Sequence, residues 1–172
     1  MWSIFTASAL SVLNWQAAPP LLVQPLEPIL RPMVLEIKRD PITDAMSAFA
    51  TARSSDGRLS IGCDPDRYRG VRVAVRSQGW FASKKILKTT HIMPFRFDRR
   101  TAVEGNWRVK DNTATLRPTE QVVSFITAAT AANRVTIRTR DIENREKDLT
   151  FSVLGGGPAI RRVLQICNAA SR

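Results

Sequence analysis

The chain has 172 residues, of which 44% are hydrophobic and 24% charged. That places it among ordinary globular proteins, with enough apolar content for one domain and an appendage. Its 26 Lys and Arg against 15 Asp and Glu leave a net charge of +11. Residues 1–32 hold only Glu27 and Arg31, so the excess belongs to residues 33–172. Such a domain attracts polyanions (nucleic acid, anionic lipid or acidic polymer), and the plain alternative is a basic surface with no specific partner.

Residues 1–18, MWSIFTASALSVLNWQAA, are apolar and free of charged side chains. Trp2 to Leu13 reads as a short signal-peptide core, with Gln16-Ala17-Ala18 offering small residues for cleavage. No Lys or Arg precedes it, and it is short for a bilayer span. An apolar tail, or sequence ahead of a true start at Met33, is the alternative. Residues 19–32 carry five of the ten prolines and read as an extended linker. A single β-rich domain is expected over residues 33–172.

MVLEIKRD (33–40) alternates as a first strand, and DPITD (40–44) is a turn in which aspartates accept backbone amides. Residues 45–57 form a second strand ending in the hairpin dipeptide Asp56-Gly57. RLSIGC (58–63) follows with Leu59, Ile61 and Cys63 on one face. In residues 70–82, Val71, Val73 and Val75 point inward and Arg72 and Arg76 outward. Residues 86–100 are a strand interrupted at Pro94, which predicts a bulge or a sheet edge. NWRV (106–109) and NTATLR (112–117) are shorter strands flanking the turn residues Lys110-Asp111. A helix is predicted over 119–133, with Val122, Phe125, Ile126 and Ala129 as its buried stripe and Asn133 as C-cap.

The C-terminal quarter is the clearest stretch. RVTIRTR (134–140) and LTFSV (149–153) alternate as strands around a polar turn, DIENREKD (141–148). Gly155-Gly156-Gly157 breaks the second strand, and Pro158 suits the first turn of a closing helix. There Ala159, Ile160, Val163, Leu164 and Cys167 share a face, with Arg161, Arg162 and Gln165 opposite. The order is six or seven strands, helix, strand, strand, helix. The fold class is α+β, mainly β: a curved antiparallel sheet or β-sandwich with two packed helices, the last one C-terminal.

Residues able to carry chemistry are few. Cys63 and Cys167 both face inward, well placed for a disulfide if sheet and helix pack together; two buried thiols are the alternative. Two Cys, one His and no CxxC make no zinc pattern. His91 has no nucleophile motif beside it and reads as structural. The glycine run lacks the GK[ST] ending of a phosphate loop and more simply turns the chain from sheet to helix. Arg72, Arg76, Arg134, Arg138 and Arg140 lie on outward strand faces and are the candidate polyanion-binding face, supplemented by Arg67, Arg69, Arg96, Arg99, Arg100 and Arg108. Tyr68, Trp80 and Trp107 are the aromatics that would stack bases beside it.

The DPITD turn, the strand LSIGC (59–63), the FRFD strand end (95–98), Trp107, an amphipathic helix and FSVLGGGPAIRRVLQIC (151–167) follow in one order. That order resembles the VasI type of small envelope-associated proteins accessory to type VI secretion, over roughly residues 33–168. The resemblance implies a bond between Cys63 and Cys167. The C-terminal strand, glycines and helix are also similar to the invasion-associated locus B family. Neither resemblance implies a catalytic residue. The expected function is therefore a non-enzymatic accessory or binding protein, periplasmic or envelope-associated, with a protein partner in the envelope and neither metal nor small-molecule cofactor. The alternative is a cytoplasmic basic module starting near Met33 that binds nucleic acid or another polyanion.

Overall fold

In a computed structural model the described residues are 32–64, 68–79, 81, 90–141 and 143–169, with backbone alone at 68, 69 and 169. The apolar opening, the linker as far as Arg31, Arg67, Trp80 and the side chains of Tyr68 and Arg69 lie outside them. The elements are β1 (Val34–Arg39), β2 (Met46–Ser54), β3 (Gly57–Asp64), β4 (Tyr68–Ser77), β5 (Thr90–Phe97), β6 (Val103–Lys110), β7 (Thr113–Arg117), α1 (Thr119–Ala131), β8 (Arg134–Arg140), β9 (Glu146–Ser152) and α2 (Gly156–Ala169). This is the element order and the mainly β class that the residue pattern predicts.

All nine strands join one antiparallel sheet in the order β1-β2-β3-β4-β7-β6-β5-β8-β9. It is one curved sheet rather than two packed ones, because the β4–β7 and β5–β8 ladders fuse the hairpins side by side. The curl brings β9 back towards β2 and β3, where Lys147 Nζ meets Asp56 Oδ1 at 2.9 Å, yet no ladder closes the ring.

Partners in register share a face. Ala50↔Ile61↔Val73 and Ala52↔Leu59↔Val75↔Ala114 therefore build one inner surface, continued by Leu116↔Trp107 and by Phe95↔Ile137↔Leu149. All these side chains are buried. The helices cover this surface: α2 packs on β1 to β4, α1 on β4 and β7, and the helices touch each other. Val122, Phe125, Ile126 and Ala129 are the buried residues of α1, as its 3.6-residue spacing predicts. Phe125 sits among Phe95, Phe97 and Trp107, with ring centroids 4.9–6.3 Å apart, and Trp107 Nε1–H donates to the Met93 carbonyl at 3.0 Å.

Several local expectations shift. The turn after β2 is Ser55-Asp56, and Gly57 opens β3, where a side chain would run into the Arg76 carbonyl. Pro94 stays in register opposite Glu104 without a bulge, and on its other side it is locally at an edge, because β8 joins β5 only from Phe95 onward, although β5 as a whole is an inner strand. α1 ends at Ala131, and Asn133 does not cap it. Instead the Asp98 carboxylate accepts the N–H groups of Asn133 (3.1 Å) and Arg134 (2.9 Å), steering the chain into β8. β9 starts at Glu146, inside the stretch read as a turn, because Arg138 and Arg140 face Asp148 and Glu146 across the ladder. In α2, Ile166 is buried as well, and Gly157 lies where a Cβ would come within 2.9 Å of the Thr130 carbonyl.

Candidate functional site

The cysteines come together. Cys63 on the inner face of β3 and Cys167 in the last turn of α2 form a disulfide, with Cα atoms 5.8 Å apart and a sequence separation of 104. The small side chains Ala48, Ala50 and Ala52 on neighbouring β2 let α2 lie close enough for the bond. A link across so long a loop stabilises by about 4–5 kcal/mol on the chain-entropy estimate.

The five arginines of the candidate face all occupy the outer side of the sheet, but in two groups. Arg72 and Arg76 are on β4, whereas Arg134, Arg138 and Arg140 are on β8, with β7, β6 and β5 between them. Four strand steps put the groups roughly 19 Å apart along the sheet. Their chemistry differs too. Arg138 grips Asp148 through Nε (2.8 Å) and Nη2 (3.0 Å), and Arg140 reaches Glu146 at 3.4 Å. The hydrogen bonds from Arg138 hold the Asp148 carboxyl below its ordinary range, against a smaller opposing effect of burial. Two of the three β8 arginines are thus neutralised within their own hairpin.

Around β4 the cations come from β2, β3 and β4 on one side and from the β6–β7 hairpin on the other. Register places Arg53, Arg58 and Arg76 in one cross-strand row, an arrangement that like charges resist. Glu36 of β1 offsets it, accepting from Arg58 at 2.7 Å and Arg53 at 3.3 Å. Burial pushes the Glu36 carboxyl up, but Arg58 and Arg53 together outweigh it and hold the group below its ordinary value. The Arg72 guanidinium lies 6.0 Å from the centre of the Phe49 ring. Beyond this row, β4 pairs with β7 only at Ala74–Arg76 against Thr113–Thr115. The two strands then part, and a cleft of about 830 Å³ opens between them. Arg72, Arg76, Arg108, Lys110 and Arg117 line it, with Asp111 the one carboxylate among its described residues. Only Arg72, Arg76 and Arg108 were legible as candidates; Arg117 and Lys110 join through the β6–β7 pairing, which no local pattern announces.

The remaining candidates are placed as follows. Trp107 is wholly buried beneath α1, so it presents no ring for a base to stack on. His91 is half-buried on the inner side, opposite Trp107 in the ladder. Asp40 caps its turn, accepting the N–H groups of Ile42 (2.8 Å) and Thr43 (2.9 Å), and Asp44 pairs with Arg39 at 3.0 Å. Gly155 takes a positive φ of 67° and turns the chain into α2. Among the described residues no group of three His, Cys, Asp or Glu could hold a metal ion, and no helix is long and apolar enough to cross a membrane.

No protein-family model matches the chain, and no curated protein does. A solved structure does share its fold: invasion associated protein B from Bartonella henselae, with a TM-score of 0.50 and 11% sequence identity, covering 79% of this chain and 95% of that one. At that identity the likeness concerns the fold alone. It goes with the second of the two resemblances read in the sequence, and nothing found in the comparisons supports the VasI type.

Proposed function

We propose that this chain is a non-enzymatic accessory protein of the cell envelope, stapled by Cys63–Cys167, that binds a partner through the outer face of its sheet. The observation that carries the reading is the disulfide itself, since such bonds persist in oxidising compartments and are rare in a reducing cytosol. The apolar residues 1–18, read as an export signal, support the same compartment. Cations concentrated on the outer face around β4, with apolar side chains turned to the helices, favour binding over catalysis. An accessory role in type VI secretion stands on the order of sequence motifs alone. The neighbour's association with invasion is not carried to this chain by a shared fold.

Intact mass of the protein from its native host, with and without reduction before alkylation, tests the reading. Loss of about the first 18 residues, with alkylation only after reduction, is the expected result. Two thiols alkylated without reduction, in a chain beginning at Met1 or Met33, would sink it in favour of the cytoplasmic polyanion binder. Retained hydrolase activity would sink the non-enzymatic part, and His91→Ala and Asp44→Ala would show whether those residues carry it.

A further inference from the structure

We infer that the cleft between β4 and β7 takes an extended acidic segment of a partner protein, added as a short strand along β4; this rests on the binding role proposed above and gives its partner a chemistry. The first support is the backbone. The Ser77 N–H bonds the Asn112 carbonyl, so odd-numbered residues of β4 turn their backbone groups towards β7. The ladder stops at Ala74, and Val71 beyond it lines the cleft, where the same alternation, kept in register as far as Arg72, turns its backbone away from β3. β7 does not follow β4 further, because Pro118 has no N–H to offer and α1 begins at Thr119. A strand edge that no described strand pairs with, inside a sheet, is a template for an added strand.

The second support is charge. Arg76, Arg108, Lys110 and Arg117 are exposed, and none makes an ion pair with a described residue. They stand on the outer side of the strands, so they meet the outward side chains of an added strand, and guanidinium groups pair well with carboxylates. The inward side chains of that strand would meet Val71 and Val122. A segment alternating acidic and apolar residues therefore satisfies both faces at once. No described residue lining the cleft is aromatic, so none of these residues offers a nucleic acid base a stacking platform.

The test is fluorescence anisotropy on the full-length oxidised chain with a fluorescein-labelled peptide of alternating Glu and Val. The same-length Glu-Pro peptide and a labelled single-stranded oligonucleotide are run beside it. The Glu-Val peptide should bind best, and the Glu-Pro peptide about tenfold more weakly, since proline removes the ladder donors. Arg108→Glu with Arg117→Glu should weaken binding by about tenfold or more, and Arg138→Gln with Arg140→Gln should leave it unchanged. If thermal melting shows that the charge-reversed protein is unfolded, Arg108→Gln with Arg117→Gln decides, with a smaller loss expected. Equal binding of Glu-Pro, tighter binding of the oligonucleotide, or indifference to both Arg108/Arg117 variants would overturn the inference. If the native chain is exported and oxidised yet ignores the Glu-Val peptide, this inference falls while the envelope reading stands.

Discussion

The two halves of the sheet reach the same end by different means. Under α2, the inner face of β2 offers only Ala48, Ala50 and Ala52, and the helix is held by a covalent bond from β3. Near α1, Phe95, Phe97, Trp107 and Phe125 pack ring against ring, with no covalent link. Small side chains allow close approach but bury little apolar area, so β2 adds little hydrophobic stabilisation beyond what Leu59, Ile61, Val73 and Val75 of β3 and β4 supply. Aromatic rings each bury on the order of 150–250 Å², and the α1 half needs no staple. The disulfide therefore stands beside the strand whose inner face is all alanine.

Removing the staple should break this comparison most sharply. Cys63→Ala with Cys167→Ala is expected to cost about 4–5 kcal/mol in urea denaturation, with hydrogen exchange rising in α2 and β1 to β3 before α1 and β6. Uniform loss of protection across both halves would show that they form one cooperative unit. Phe125→Ala should cost about 3–5 kcal/mol by opening a cavity in the aromatic cluster, and should leave the disulfide intact by mass. Ala50→Leu tests the close approach of α2: overpacking should cost about 1–3 kcal/mol. A neutral outcome there would mean that the helix has room to spare.

The smallest effect concerns charge at the β1 edge. The Glu36 carboxyl is held below its ordinary value, so its contribution is present above the unfolded-state value, near 4.5, and is lost as the pH falls through that range towards the folded value. Glu36→Gln should flatten the acid limb of the stability curve below about pH 4.5, as read by thermal melts across pH. If the variant and the parent lose stability in parallel on acidification, the Arg58 and Arg53 contacts do not hold in solution.

Much of this was legible because it is local. The stripe Val122, Phe125, Ile126, Ala129 follows from helical spacing, and the inward faces of Leu59, Ile61 and Cys63 follow from alternation. The misreadings share a cause. Glu146, Lys147 and Asp148 look like turn residues until Arg138 and Arg140 stand opposite them, and Pro94, rightly read as an edge position, gives no hint that its strand lies between two others. Asp98 gave no signal at all, since its role depends on where α1 delivers Asn133.

Sequence alone therefore determined which side of each strand turns inward, which helices form, and that two cysteines face the interior. Those properties depend on side-chain periodicity within a few residues. Tertiary structure decided which strands lie side by side. The inverted β7-β6-β5 order set Arg108 and Arg117 beside Arg72 and Arg76, and left Arg138 and Arg140 to the acids of β9. Neighbourhood in a sheet is fixed by long-range pairing and by what the helices can cover, and neither is written in the residues of a single strand.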